Sequence, residues 1–387
     1  MAQELISKQR VAIVGAGPAG CICAYFLQDD YDVTLFDKGK FLRTILPTGG
    51  SRCNLAHAEF DIKSLAKNYP RGEKFLYSIF SRFSTLDTTQ FFKNIGVDTY
   101  VQDDNRIFPV SNSSKDVQEK LLKSLKKVSF IPENVIGIQK LDNCLKITTN
   151  KSKYAFDKVV VAIGGHSNFS MISGLGINII EPTQALVGLV TKENFTDIAG
   201  VSLSDVEIKI GKTIHNGDIL FTHKGVSGPL IYKISSIHAR KEFPYELSLK
   251  LTNDFDLQNY LNSNPHKEIK NLLSQFIPKS LVLWILSQIN IAPDTACHKI
   301  NGKVRDLIMA NILNFKITIT GKVADGEVVT CGGVDLGEIN AKTLESKHIQ
   351  NLYFCGEVLD IDGFCGGFNL QNCWSTGFIV SESIKNS

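Results

Sequence analysis

The sequence predicts an α/β protein whose nucleotide-binding core is assembled from the two ends of the chain. Three observations carry that prediction. A glycine fingerprint sits between two apolar strands near the N-terminus. A second apolar strand near the C-terminus closes on Gly356-Glu357. Between them, helical spacing of apolar residues gives way to short alternating runs and then returns, which marks inserted segments.

The N-terminal fingerprint comes first. Val11–Val14 is short, apolar and β-branched, the pattern of a buried parallel strand. Gly15-Ala16-Gly17-Pro18-Ala19-Gly20 follows as a complete G-x-G-x-x-G, and Cys21–Leu27 is apolar and helical in content. A second strand, Val33–Phe36, ends in Asp37-Lys38, the acid lying 17 residues beyond Gly20. Gly15 serves the tight turn, Gly17 the approach of a pyrophosphate, and Gly20 the close packing of helix on strand. The helix N-terminus offers free N–H groups and partial positive charge to phosphate, and Asp37 offers acceptors to a ribose. Glycines alone are a weak signal. Strand, glycines, helix, strand and acid together point to a dinucleotide, without separating FAD from a nicotinamide.

Totals set the bounds. At 387 residues the chain is long for one core, and two or three domains are expected. A formal charge of +3 argues against nucleic acid or an anionic membrane as the principal partner. The opening MAQELISKQR lacks the apolar segment of a signal peptide, and no apolar run reaches the ~18 residues of a membrane span. Nine scattered cysteines fit free thiols in a reducing cytoplasm better than a disulfide framework. No C-x-x-C pair or Cys/His cluster has metal-ligand spacing, so no metal is expected.

The stretch Phe41–Asn54 contains Thr48-Gly49-Gly50-Ser51-Arg52-Cys53-Asn54. Such a loop can run beneath a cofactor and present N–H groups and a cation to it, or it can be a plain surface turn. Together with the first fingerprint, this loop resembles the BaiN/aminoacetone-oxidase-like family of NAD(P)/FAD-dependent oxidoreductases, whose pattern is G-R-K-x-x-x-S/T-G-G-G-R-C-N. Arg43, Thr48, Gly49, Gly50, Arg52, Cys53 and Asn54 match it. Leu42 stands for the first Gly, Thr44 for the Lys and Ser51 for the third Gly. Arg106-Ile107-Phe108-Pro109 resembles the family's G-R-x-F-P, with Asn105 in place of Gly; Arg106 faces either an active-site cavity or solvent.

Further along, Tyr69–Gly96 has helical spacing, Asp116–Val128 is an amphipathic helix with a lysine-rich face, and strands are expected over Val135–Thr149 and Tyr154–Ile163. By analogy of fold, Val135 lies where main chain runs along an adenine, and Ala162 and Gly164 end a strand near the flavin. No second complete fingerprint follows Gly165, so a separate NAD(P)H domain of the disulfide-reductase type is not expected. Pro182–Leu249 reads as a β-rich insertion. Within it, Thr222-His223-Lys224-Gly225-Val226-Ser227-Gly228-Pro229 resembles the family's T-H-x-G-x-S-G-P. His223 is either a base or substrate contact, or a histidine bonded within a turn. Phe255–Leu313 is helical, a lid in expectation.

The C-terminal return, Leu352–Asp360, ends a buried strand in Gly356-Glu357, and Gly363-Phe364-Cys365-Gly366-Gly367-Phe368-Asn369-Leu370 opens a last helix. The acid can bind ribityl hydroxyls. The helix N-terminus stabilises negative charge at the N1/O2 edge of a reduced flavin. A nicotinamide-only fold has no need of this return, which selects FAD. Gly356, Glu357, Asp360, Gly366, Gly367, Asn369 and Leu370 match the family. The resemblance therefore spans the chain and implies a discontinuous Rossmann-like FAD-binding domain (1–186 and 327–387) with an inserted β-rich, barrel-like substrate domain (187–250 and 312–326) and a small helical domain (251–311). The expected activity is two-electron transfer between a small organic substrate and noncovalent FAD, reoxidised by O₂ or reduced by NAD(P)H. The alternative is a non-catalytic or RNA-modifying flavoprotein. Arg52, Asn54, Arg106, His223 and Asn369 are the candidates around the substrate, and Cys365 is the one thiol expected near substrate or flavin.

Overall fold

The apolar run after Gln9 becomes strand β1 (Arg10–Val14), α1 covers Pro18–Leu27 and β2 covers Asp32–Phe36. This is a computed structural model, which describes residues 8–39, 41–165, 169–252, 255–323 and 329–387. The chain divides into two compact units, 1–183 with 329–387 and 184–328. The sequence boundary placed at 326/327 lies outside the described residues, as do Glu327 and Val328 of the return to the first unit.

The first unit is built on a five-stranded sheet. It adds β3 (Ser129–Ile131), β4 (Lys158–Val161) and β5 (Leu352–Phe354) in the order β5-β4-β1-β2-β3. Every pairing is parallel. Val14 pairs in register with Phe36 on one side and Val161 on the other, and Val161 pairs with Phe354. Four strands therefore end level at one edge. In open parallel sheets this C-terminal edge is where ligands bind. The last helix, α2 (Phe368–Lys385), packs beside α1. A Cβ on Gly377 would lie 2.5 Å from the Ala19 carbonyl oxygen, so the two helices touch backbone to backbone there. Phe26 meets Phe378 edge-on at 4.9 Å, and Tyr31 donates its hydroxyl hydrogen to Ile384 O at 2.8 Å. Partners advance together along both chains, so the helices run the same way. At 1.5 Å per residue, the nine residues from Phe368 to Gly377 put the start of α2 about 14 Å before Gly377.

Two details differ from the sequence expectation. The stretch Tyr154–Ile163 is two strands: Lys153–Phe156 closes a meander with Val135–Lys140 and Leu145–Thr149, and only Lys158–Val161 enters the parallel sheet. Asp157 divides them, its carboxylate accepting from Arg10 N at 2.7 Å. Strand β3 was not anticipated. Its three residues follow a helix that ends at Ser124 rather than Val128, and their pairing with β2 decides the conformation.

In the second unit six strands close a barrel: Leu189–Thr191, Gly225–Ser227, Thr213–Thr222, Ser202–Ile210, Tyr245–Lys250 and Phe315–Lys322. Helices Leu257–Ser263, Ile269–Leu273, Lys279–Gln288 and Gly302–Leu313 share its core. Trp284 packs edge-on against Phe195 and Phe315, at 5.4 and 5.8 Å. Among the described residues no helix is long and apolar enough to cross a membrane.

Candidate functional site

The three fingerprint glycines have separate physical reasons. A Cβ on Gly15, at φ 108°, would lie 2.3 Å from Ala162 O; one on Gly20 would lie 2.0 Å from Gly15 O. Both are demanded by packing. A Cβ on Gly17 would meet nothing nearer than Thr44 Oγ1 at 3.9 Å. The second glycine thus borders open space, with the N-terminus of α1 behind it and no side chain capping that helix. Pro18 and Ala19 form the first turn and are buried. Asp37, at the end of β2, accepts from Ala16 N on Oδ2 and from Gly39 N on Oδ1, both at 2.9 Å, which fixes its carboxylate against the turn. Lys38 is exposed beside it. Ala162 and Gly164 follow β4 at the same edge.

The loop after β2 is tied to this turn by Leu42 N donating to Ala16 O at 2.7 Å. Arg43 is exposed in a single helical turn, Arg43–Ile45, and Thr48 donates to Ile45 O at 2.7 Å. The predicted loop Thr48–Ser51 is a helical turn with left-handed residues inside: Gly49, Gly50 and Ser51 have φ of 58°, 67° and 66°. Leu42 and Asn105 also lie in the left-handed region, at 53° and 62°. All three positions where this chain lacks the resembled family's glycine therefore keep the backbone that favours glycine. Cys53 is buried, and burial pushes its thiol up to about 12, so it is inert.

At the other end of the chain Gly356 follows β5 at φ 79°, and its N–H donates to Thr376 Oγ1 at 2.9 Å. Glu357 accepts from Thr330 N at 2.9 Å; Asp360 N donates to Val334 O at 3.0 Å. Asn369 closes the next turn on itself, its amide donating to Gly363 O and accepting from Gly363 N, both at 2.8 Å. Asn54 reaches across from the N-terminal loop. Its amide donates to Ala56 O at 3.0 Å and accepts from Gly367 N at 2.9 Å. Gly366 and Gly367 have φ of 129° and 98°, and a Cβ on Gly367 would lie 2.4 Å from Ala56 O. The N-terminus of α2 that follows has no side-chain cap; Phe368 is buried and Leu370 half-buried.

Several residues without a motif hold this turn. His57 Nδ1 lies 3.1 Å from Gly366 O, and the ring stacks on Phe368 at 4.6 Å. Tyr69 donates its hydroxyl hydrogen to Phe368 O at 2.6 Å. Asp362, fully buried, receives both Nε and Nη2 of Arg71. The three-stranded sheet of Ala56–His57, Arg106–Pro109 and Thr99–Val101 places Arg106 opposite His57. Arg52 stacks over Phe108. The only sequence sign of His57 was its place three residues after Asn54; Arg71 and Asp362 carried none.

Three candidates remain. Val135 is buried at the start of the meander. His223 belongs to the barrel unit, exposed in the turn between Thr213–Thr222 and Gly225–Ser227. Among the nine free cysteines Cys365 is the exposed one.

A glycine-bounded cradle under α1, level with an acid at the end of β2 and continued by the free N-terminus of α2, defines a dinucleotide-binding flavoprotein. More narrowly, the chain belongs to the family described as HI0933-like protein Rossmann domain, whose model matches residues 9–383. It is an FAD-dependent oxidoreductase. A ribosomal RNA dihydrouridine synthase of Escherichia coli (strain K12) is 28% identical over 398 residues, covering 96% of this chain and 97% of that protein. A 3-dehydro-bile acid delta(4,6)-reductase of Clostridium scindens is 26% identical, covering 97% and 98%. Among solved structures, a 3-ketosteroid delta1-dehydrogenase from Sterolibacterium denitrificans superimposes with a TM-score of 0.51 at 13% identity, covering 97% of this chain and 99% of that one. That likeness is one of fold.

Proposed function

We propose that the protein reduces a carbon–carbon double bond conjugated to a carbonyl, with FAD as hydride carrier and NAD(P)H as electron donor. The observation that carries this is a chemistry common to two relatives matched over nearly their whole length. Dihydrouridine is uridine reduced at a ring double bond conjugated to a carbonyl. A delta(4,6)-reductase acting on a 3-dehydro-bile acid reduces bonds of the same kind. Bound FAD supplies hydride transfer. In this reading Gly17 and the α1 N-terminus hold the pyrophosphate, Asp37 a ribose and Glu357 the ribityl chain. The N–H groups after Gly367 take the negative edge of the ring. Arg52, Arg106 and His57 orient the substrate beside that edge.

The substrate is a small conjugated carbonyl compound, in keeping with a formal charge of +3. The name of the Escherichia coli relative favours a second reading, the same step on uracil within ribosomal RNA, against the expectation of no nucleic acid. One experiment separates them. FAD-loaded protein is incubated with NADH or NADPH and either a panel of conjugated enones or uridine-containing RNA, and products are weighed by mass spectrometry. Two added hydrogens on an enone support the first reading, and dihydrouridine in the RNA the second. Peroxide formation with no reduced acceptor in either arm would count against both.

A further inference from the structure

Arg52 and Arg106 approach the same ring. The guanidinium of Arg52 lies 4.0 Å from the Phe108 centroid and that of Arg106 5.5 Å. Phe108 is fully buried and cannot give way, since Gly49 packs against it so closely that a Cβ there would lie 2.7 Å from Cε1. A guanidinium laid on a ring face keeps the N–H groups of its edge available. Arg52 has no carboxylate partner among the described residues. Its side chain donates to Gly49 O at 3.3 Å and Gln102 Oε1 at 3.4 Å, both at the long end of hydrogen bonding. Arg106 pairs with Asp104 through Nε and Nη2, both at 2.6 Å from Oδ2, with the arginine half-buried and the aspartate exposed, so the pair is partly screened by solvent. Asp104 offsets the charge of Arg106 alone, and among the described residues the guanidinium of Arg52 has no carboxylate to offset it. The pair also stands beside the cofactor turn, because Arg106 is opposite His57, and His57 meets Gly366 O.

We propose that Arg52 and Arg106 form a receptor for an oxyanion carried by the substrate, a carboxylate or a phosphodiester, set beside the turn that opens α2. This deepens the conjugated-carbonyl reading and rests on it. The substrate class becomes a conjugated carbonyl compound bearing an anionic group remote from the reacting bond. Both relatives' names describe such molecules, one an acid and the other a nucleic acid.

The test is a binding measurement on oxidised, FAD-loaded protein, read from the visible spectrum of the flavin, with no turnover. One arm compares a 3-oxo-4-ene steroid carboxylate with its methyl ester. The other compares a short uridine oligonucleotide with free uridine. A charge-assisted bidentate contact predicts that the anionic member of one arm binds about 10–100-fold more tightly than its neutral partner. Arg52→Gln and Arg106→Gln should each abolish that preference by weakening the anionic ligand about 10–100-fold more than its neutral partner, and Arg52→Lys should restore part of it. The arm that shows the preference identifies the anion. Equal binding of charged and neutral ligands, or equal weakening of both by the variants, overturns the proposal. Should Arg52→Gln lose FAD, Arg106→Gln, at a half-buried position, still decides. Failure of the enone or RNA reduction with the charge preference intact would remove the reaction and leave the receptor standing.

Discussion

At the scale of single residues, the left-handed positions give the sharpest expectations. Ser51 is exposed at φ 66°, and among the described residues its side chain makes no hydrogen bond that glycine would forfeit. Ser51→Gly should stabilise the first unit by about 0.5–1 kcal/mol, the relief of left-handed strain less the entropy glycine loses on folding. Leu42 shares that backbone but is fully buried, so Leu42→Gly should destabilise it by about 2–5 kcal/mol through lost burial. Urea unfolding of the two variants should show opposite signs; the same sign in both would remove strain from the explanation. The Arg71–Asp362 pair is a different case. Asp362 is wholly enclosed, and Asp362→Ala takes the bidentate carboxylate from a largely buried Arg71, so a loss of about 3–5 kcal/mol is expected. An unchanged unfolding midpoint would contradict that. No sequence pattern discloses such a pair, because its members are 291 residues apart and only the folded turn joins them.

At the scale of elements, local pattern and tertiary context divide the work. Strand, glycine turn, helix and acid were legible from Arg10 to Asp37 because each follows from its own residues and a fixed spacing. β3 was not legible: three residues carry no period, and pairing with β2 makes the strand. The role of Asn54 was also hidden, since its amide bridges to Gly367 from the far end of the chain. The glycine turn allows a paired test. Gly17→Ala has space for its Cβ, so the protein should fold normally and lose affinity for FAD by roughly tenfold, ~1.4 kcal/mol. Gly15→Ala drives a Cβ into Ala162 O and should fail to fold. Equilibrium dialysis and circular dichroism of both variants distinguish the two roles; loss of fold in Gly17→Ala would show that packing, not ligand access, requires it. In the barrel, His215 and His238 face each other at 6.4 Å with both Nε2 atoms buried and unpaired. Burial, then Lys233, depresses His215; burial, then His215 and Lys241, depresses His238. Unfolding lets each bind a proton near its ordinary value of ~6.5. Stability from this pair is therefore complete above that value and falls as pH drops through it toward the depressed values. The barrel unit should unfold at lower temperature near about pH 5.5 than at neutrality, and His215→Gln with His238→Gln should flatten the difference. An identical pH slope in that variant would place the effect elsewhere.

At the scale of the whole molecule, the two ends of the chain make one site. β1, β2 and β4 bring the N-terminal turn and its acid to one edge, β5 delivers Gly356 and Glu357 to the same edge, and α2 starts about 14 Å before the residue that meets α1. That spread accommodates a diphosphate at one helix end and a redox ring at the other. In the proposed reading, Arg52, Arg106 and His57 would line the ring's edge. The sequence displayed both ends of this arrangement. It did not display the sheet of Ala56–His57, Arg106–Pro109 and Thr99–Val101 that places the two arginines on one phenyl ring, since that depends on strand register. Anaerobic stopped-flow tests most directly whether the flavin hands hydride to a conjugated carbonyl. Protein reduced to the colourless flavin is mixed, without oxygen, with conjugated carbonyl acids and with uridine-containing RNA. Absorbance near ~450 nm should return with at least one of them, in step with saturated product. A flavin that stays bleached with every such acceptor and recovers only when air is admitted would contradict that transfer.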